Sequence, residues 1–442
     1  MDYLKKVFTR FPAFMSNDGR IILFKNVSLL FVGNIFSRGL NLISYIILAK
    51  ALTTEDYGTL TVILSVITTM GDLINSGLTA STMRFTSQFA GKNNKEKISR
   101  LLATISINTV LLTIAFVGVS VIFSGTLSHY FLNGNYETLL IVAAFGLFTT
   151  FIFSNLYSML QGLEDFSGMI LITTIFGLER LIAIFTLSTT NNLSIQNGVY
   201  LFVVTPLIAI IVALSRLRMK HKLSLNFFNN YDFAIFKETL GFGKWMSAWS
   251  VVSIIQSRLD IYLLSSLTTS TQVSYYDIAQ KFSSIVGMGL SAYANVINPQ
   301  IAKLTKKMLI INEVKKSLKV TLLMSTMLIA GIFILPPVIQ LIFGDKYSDA
   351  LTPLRIMLGG LFFYMLTFPY NSAMYALGKS RAFFYTVTIQ LIGNLIASYI
   401  LLPRLGAIGA SFSFVIVNFI AFICSYFFYR KYINAYQDED QS

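Results

Sequence analysis

The sequence predicts an all-α polytopic membrane protein of 12 transmembrane helices in two pseudo-symmetric six-helix bundles, and three observations carry that expectation. Of 442 residues, 55% are hydrophobic and 12% charged, with a mean hydropathy of +0.67; a soluble domain carries about 25% charge. Apolar runs of about 20 residues, enough to cross a ~30 Å hydrocarbon core, recur from end to end. Lysines and arginines gather in alternate connecting segments, as retention of basic loops on the cytoplasmic side requires.

Before the first window, Leu4, Phe8, Phe11, Phe14 and Met15 alternate with Lys5, Lys6 and Arg10. That pattern suits a short interfacial helix on the inner surface, and without a continuous apolar core it is not a cleavable signal peptide. The first window, Val27–Ala49, carries Asn34, Ser37, Arg38, Asn41 and Ser44 at helical spacing on one face. The second, Thr59–Leu78, carries a longer stripe of Thr61, Ser65, Thr68, Thr69, Asp72, Asn75, Ser76 and Thr79. Windows three to six are Leu101–Phe123, Leu139–Leu160, Met169–Leu187 and Val199–Leu214, with Glu179 and Arg180 adjacent in the fifth and Pro206 in the sixth.

The basic stretch from Arg216 to Lys244 is the natural linker, so lobes are expected at 1–221 and 222–442. The seventh window, Trp245–Leu267, puts Ser250, Ser253, Ser257 and Asp260 on one face, with Arg258 roughly 200° round the helix from Asp260. The eighth, Ile278–Ile297, follows Asp277 and shows Gln280, Lys281, Ser284, Gly287, Ser291, Asn295 and Asn298. Asp277 and Lys281 form an i, i+4 pair near the outer end, expected as a surface bridge. Leu318–Phe343, Leu351–Leu377, Ala382–Leu402 and Leu405–Phe428 complete the set, and Pro206 and Pro369 are expected to kink their helices.

Orientation follows from counting. With the N-terminus inside, 26 lysines and arginines fall on the inner side and only Lys50, Lys346 and Arg404 on the outer, placing both termini in the cytoplasm. The net charge of +14 is then a consequence of topology rather than of nucleic-acid binding, though basic inner loops also favour anionic lipid headgroups. The single cysteine, Cys424, rules out an internal disulfide, and His129 and His221 lie in opposite loops, so neither a histidine metal site nor a histidine triad is expected. Gly378-Lys379-Ser380 resembles the end of a phosphate-binding loop, but the glycine required five positions earlier is Ala373, so no ATP site is expected.

The two halves echo each other at an offset of about 210 residues, as expected of a parallel transporter repeat. Leu52-Thr53-Thr54 is matched by Leu267-Thr268-Thr269, Gly134-Asn135-Tyr136 by Gly344-Asp345-Lys346-Tyr347, and Leu160-Gln161-Gly162 by Ala376-Leu377-Gly378. These pieces, with the run from Ala49 to Gly58, Gly77-Leu78 followed by Arg84, Gln161 to Phe166, Arg258-Leu259-Asp260, Phe343 to Tyr347 with Ala350, and Gly406 to Ala410, resemble the Wzx-type polysaccharide flippases of the multidrug/oligosaccharidyl-lipid/polysaccharide (MOP) exporter superfamily. The resemblance covers essentially the whole chain. It implies two MATE/MOP-like lobes that open alternately to each side of a bacterial cytoplasmic membrane. The cargo it implies is an undecaprenyl-diphosphate-linked oligosaccharide bound for O-antigen, capsule or exopolysaccharide, with a polymerase and a chain-length regulator as partners. The extra pair of C-terminal helices of the lipid II branch has no counterpart among the windows.

Polar stripes have two readings, helix-to-helix glue and cavity wall. The serines and threonines suit glue; an arginine at mid-membrane needs a wet or paired setting, which makes Arg38 the leading substrate contact. The candidate cavity set is Asn34, Arg38, Asn41, Asp72, Arg180, Arg258, Ser291 and Asn295, with Asp72, Glu179 and Asp260 as candidates for proton or sodium coupling. No cofactor is expected, and the membrane potential alone is a third energy source. Two other functions remain open. A drug or metabolite exporter of the same superfamily fits the same pattern. A polytopic glycosyltransferase using Glu55 and Asp56 would need a larger outer domain than loops of about a dozen residues provide, so an enzyme is not expected.

Overall fold

The computed structural model describes residues 17–224, 226–227, 229–241, 244–301, 307–377 and 379–436; the expected interfacial segment around Phe8 lies outside them. Twelve spanning helices account for the twelve windows: α1 (Asn17–Ala51), α2 (Thr54–Gly91), α3 (Lys95–Ile122), α4 (Glu137–Gly162), α5 (Phe166–Thr189), α6 (Ile195–Val204 with Pro206–Met219), α7 (Lys244–Leu267), α8 (Ser270–Ile301), α9 (Lys307–Phe343), α10 (Leu351–Ala376), and α11 and α12 over 380–405 and 407–435. Six stretches of the described residues are long and apolar enough to cross a membrane, and two of these, Lys307–Met374 and Arg381–Ala435, are long enough to cross twice.

Starts and breaks follow local chemistry. The side chains of Thr53, Asn94, Asp165 and Ser194 accept from the backbone N–H three residues on, capping α2, α3, α5 and α6. Pro206 breaks α6 as expected, sitting at the first position of its second piece, where no N–H is needed. Pro369 lies inside an unbroken α10, and Pro336 and Pro337 inside α9. The last two spans meet at Gly406, whose φ of 54° and ψ of −128° suit glycine alone. A Cβ there would overlap Gln272 Oε1, which accepts from Ala407 N at 2.8 Å.

The lobes repeat one packing scheme. In the first, α5 packs on α1 through Ser37–Thr173 and Gly33–Ile170, and α2 on α4 where Gly162 meets Thr86. In the second, α11 packs on α7, and α8 meets α10 through Tyr293–Phe368. The linker lies along the first lobe: Ser224 N donates to Ser99 Oγ (3.0 Å), Asp232 N to Thr104 Oγ1 (2.9 Å), and Leu223 and Ile235 are buried with α2, α3 and α6.

Among the described residues, contacts between helix ends and loops join segments expected on the same side. Ser265 meets the Phe131 carbonyl and Lys346 the end of α1 on one side; Arg216 meets Asp165, and Lys307 the Asn434 carbonyl, on the other. The hydrophobic core divides the same way. One continuous core fills the outer halves of both lobes, from Leu48 and Tyr57 through Leu147 to Tyr276, Leu358 and Ala410. Among the described residues, the halves expected to be inner hold two separate cores, one around Leu101, Met159 and Leu217, the other around Ile310, Tyr370 and Ile433. Among the described residues the lobes are therefore joined on the side expected to be outer, while the cores on the side expected to be inner stay separate.

Candidate functional site: the cleft between the lobes

The roof of the cleft is a seam between α1–α2 and α7–α8. Tyr57 Oη donates to Asp277 Oδ2 at 2.7 Å, and Asp277 pairs with Lys281 on its own helix. The Lys281 ammonium sits 4.1 Å from the ring centre of Tyr45 and 5.9 Å from that of Tyr57. Farther inward, Tyr262 Oη donates to the Ser65 carbonyl at 2.9 Å and lies 2.6 Å from the Thr69 hydroxyl. Above the roof, Lys346 Nζ donates to the carbonyls of Ala49 (2.8 Å), Lys50 (3.0 Å) and Leu52, so the second lobe caps the C-terminus of α1. Tyr347 stands edge-on to Tyr57 and Tyr275. Gly58 makes the closest approach: a Cβ there would overlap the Ser270 carbonyl oxygen.

The pair Asp277–Lys281, expected as a surface bridge, instead lies in the seam: Asp277 is buried at 2% exposure and Lys281 half-buried, because the opposing lobe covers them. The missed signals are spacings: Arg38 and Tyr45 lie seven residues apart, Arg258 and Tyr262 four, each pair on one helix face.

Below the roof the same faces open. Arg38 is exposed two turns inward of Tyr45, and Tyr157 of α4 lies within its electrostatic reach. Asp72 and Thr68 are exposed on α2, and Ser284 one turn inward of Lys281 on α8. Arg258, one turn inward of Tyr262, is half-buried and within electrostatic reach of Asp72 across the cleft. Among the described residues, Arg38, Arg258 and Lys281 thus lie on these faces, with Asp72 beside Arg258 and Asp277 paired to Lys281 in the roof. Asn34, Ser291 and Asn295 fall on α1 and α8, but their side chains lie outside the described residues.

Other candidates point elsewhere. Arg180 is 8% exposed, held between the rings of Phe176 (4.3 Å) and Phe202 (4.1 Å), and donates to Asn41 Oδ1 at 3.2 Å, while Asn41 Nδ2 donates to the Ser37 carbonyl. It braces α1, α5 and α6, with cation–π contacts supplying what a carboxylate otherwise would. Neighbouring Glu179 does not pair with it; both carboxyl oxygens are buried without a hydrogen-bond partner among the described residues. Asp260 turns from the cleft into the second lobe, where Tyr276 Oη donates to Oδ2 at 2.6 Å and Asn394 and Ser398 of α11 lie alongside. Its Oδ1 is buried with no hydrogen-bond partner among the described residues. No cluster of three histidine, cysteine or acidic side chains that could hold a metal exists among the described residues.

At the inner surface, outside the bilayer span, Asp165 accepts from Arg216 Nε (2.6 Å), Lys220 Nζ (2.8 Å) and Gly168 N (3.2 Å), with His221 Nε2 at 2.9 Å. Burial alone would raise its carboxyl, but these donors outweigh burial and hold it well below the usual carboxylate range.

Residues 23–305 match the polysaccharide biosynthesis protein family. The chain is 23% identical to the "Putative O-antigen transporter" of Shigella flexneri over 88% of this chain and 94% of that one. It is 24% identical to "Capsular polysaccharide biosynthesis protein CapF" of Staphylococcus aureus over 92% and 99%. Its fold matches an inward-facing multidrug resistance MATE family transporter of the MOP superfamily (TM-score 0.79, 14% identity, 90% of this chain and 95% of that one). It also matches lipid II flippase MurJ in an inward closed conformation (TM-score 0.74, 19% identity, 91% and 87%). The chain belongs to the polysaccharide biosynthesis protein family, Wzx-type flippases built as multi-pass membrane proteins on the MOP fold.

Proposed function

We propose that the protein moves an undecaprenyl-diphosphate-linked oligosaccharide from the inner to the outer leaflet of the bacterial cytoplasmic membrane, by alternating access with both termini in the cytoplasm. The observation that supports this reading is the split core among the described residues: one packed seam at the end expected to be outer and two separate cores at the other, with Arg38 exposed and Arg258 half-exposed beneath the seam. A guanidinium there engages diphosphate oxygens in paired hydrogen bonds. The relatives' names point the same way, to O-antigen or capsule precursors, and set the drug-exporter reading second. A polysaccharide polymerase and chain-length regulator would take the product.

Two negative charges moving outward down an inside-negative potential gain about 4.6 kcal/mol per 100 mV. An ion can add to this. Of Asp72, Glu179 and Asp260, Asp260 is best placed, because its buried carboxylate sits among the polar groups of Tyr276, Asn394 and Ser398 in the lobe interior. Arg180 acts by holding Asn41 and α1 in place.

The test is surface polymer set against membrane abundance in point variants. Arg38→Ala is expected to reduce export at least about 100-fold with the protein inserted at normal level, and Arg38→Lys to restore it in part, since an ammonium cannot make the two-point contact. Full export by Arg38→Ala would remove the residue from the site.

A further inference from the structure

We propose that Lys281 is a further cargo contact, and that by leaving Asp277 for an anion in the cleft it releases the outer seam. The inference rests on the diphosphate reading above. Asp277 and Lys281 are four residues apart on α8, so their ion pair travels with the second lobe and is not what opening breaks. What crosses the seam is the Tyr57 hydroxyl, donated to Asp277, and the faces of Tyr45 and Tyr57, laid against the Lys281 ammonium. The closed seam therefore depends on where Lys281 points.

Lys281 stands at the boundary between roof and cleft. It retains some exposure, Ser284 on the same face one turn inward is open, and Arg38 lies two turns inward of Tyr45 on the opposite wall. An anion held by Arg38 comes within reach of this flexible cation, whose three donors have one carboxylate partner. If the ammonium turns to the anion, Asp277 is left in a dry seam with the Tyr57 hydroxyl alone, and Tyr45 loses the cation on its ring. A buried carboxylate deprived of its counter-charge destabilises the state that buries it, and opening the seam hydrates it. Anion binding at Lys281 and closure of the seam thus oppose each other, which is the differential affinity that a ligand-driven shift requires.

The experiment uses the full-length protein in lipid nanodiscs, with spin labels at Asn135 and Arg404 on the outer loops of the two lobes, both exposed. Undecaprenyl diphosphate and inorganic diphosphate are the probes, and their binding is measured separately by equilibrium titration. In the wild type, bound diphosphate should raise the ratio of open to closed seam by about tenfold, within the usual range of coupling between sites. Lys281→Met should still bind through Arg38, yet change that ratio less than about twofold on binding. Asp277→Asn keeps an acceptor for Tyr57 and frees Lys281, so it should bind more tightly and stay closed. Size-exclusion profiles like the wild type's verify folding. A diphosphate-driven opening of Lys281→Met equal to the wild type's would overturn the proposal, as would opening of Asp277→Asn. Binding without opening in the wild type would overturn it while leaving the cargo reading intact. If inorganic diphosphate binds and opens the seam but the lipid form does not bind, the cargo reading fails and the release mechanism stands. If neither binds, both fail.

Discussion

The outer and inner halves of α2 carry the same kind of polar stripe and do different things with it. In the outer half Thr61, Ser65 and Thr69 are buried, with Tyr262 of the second lobe bonded to the last two. Farther inward Asp72 is exposed to the cleft, while Asn75 of the same stripe is buried. Polarity at helical spacing therefore marks a surface that can be either seam or wall, and which of its side chains meet the opposing lobe decides which. Hydroxyl groups suit both states, since they pair across a seam and hydrate when it parts. Such a stripe is what alternating access needs on a surface that must be dry at one time and wet at another.

The inner halves are held together within each lobe, and the largest expected effect tests this. Asp165 joins the α4–α5 turn to the end of α6 inside the first lobe, with its side chain 1% exposed. Asp165→Asn leaves Arg216, Lys220 and His221 crowded without a counter-charge and should lower unfolding stability by about 3 kcal/mol at pH 7, while the label distance across the outer seam stays as in the wild type. The sign of the pH dependence follows from the depressed carboxyl: its contribution is complete above the unfolded value of about 3.9 and is lost as pH falls through the folded value. The wild-type advantage should therefore persist from pH 8 to about pH 5 as far as Asp165 sets it, and shrink below about pH 4. Chemical denaturation of both proteins across that range checks it. An outer seam that opens in Asp165→Asn would mean the inner brace acts between lobes.

Next in size is the seam's close approach. Any side chain at position 58 must displace the Ser270 backbone, which cannot swing aside as a flexible side chain would. Overpacking of this kind costs about 1–3 kcal/mol. Gly58→Ala should shift the seam toward open by about tenfold or more and reduce export with normal abundance. Spin labels at Asn135 and Arg404 give the seam directly. Closure equal to the wild type's would show that α2 and α8 can separate locally without opening the roof.

Much of this architecture is legible in the sequence, because a bilayer imposes one strong rule, an apolar run of fixed length, and all twelve windows coincide with helices. The ends are less legible. α2 runs to Gly91 and α1 begins at Asn17, since helices continue past the hydrocarbon into charged sequence where hydropathy carries no signal. Pro369 and the pair Pro336–Pro337 sit in unbroken helices because membrane helices tolerate freed carbonyls that neighbours can satisfy. The faces of α7 are the instructive case. Its serines end at Asp260, yet Asp260 faces the interior of its own lobe and Arg258 the cleft. One helix shows its polar faces but not its neighbours, and Asn394 and Ser398, more than 130 residues away, take one face while Asp72 takes the other. The family motifs behave alike: Tyr57 and Lys346-Tyr347 mark the resemblance, but that they meet at one seam appears only when the lobes are assembled.

The smallest effect separates seam from wall using adjacent residues. Thr69 is 7% exposed with its hydroxyl 2.6 Å from Tyr262 across the seam; Thr68 is exposed to the cleft and donates to its own helix at the Leu64 carbonyl, 2.9 Å away. Replacement by valine keeps shape and removes the hydroxyl in either case, so insertion and helix propensity change alike. An interhelical hydrogen bond in a membrane contributes about 0.6 kcal/mol. Thr69→Val should therefore open the seam by roughly threefold, less if Tyr262 keeps its bond to the Ser65 carbonyl, whereas Thr68→Val should leave the ratio unchanged. The outer-label distance distribution of both variants, measured side by side without ligand, gives the comparison. Equal shifts would mean that hydroxyl content alone tunes the stripe; a shift in Thr69→Val alone would mean that the seam is set by which side chains actually meet across it.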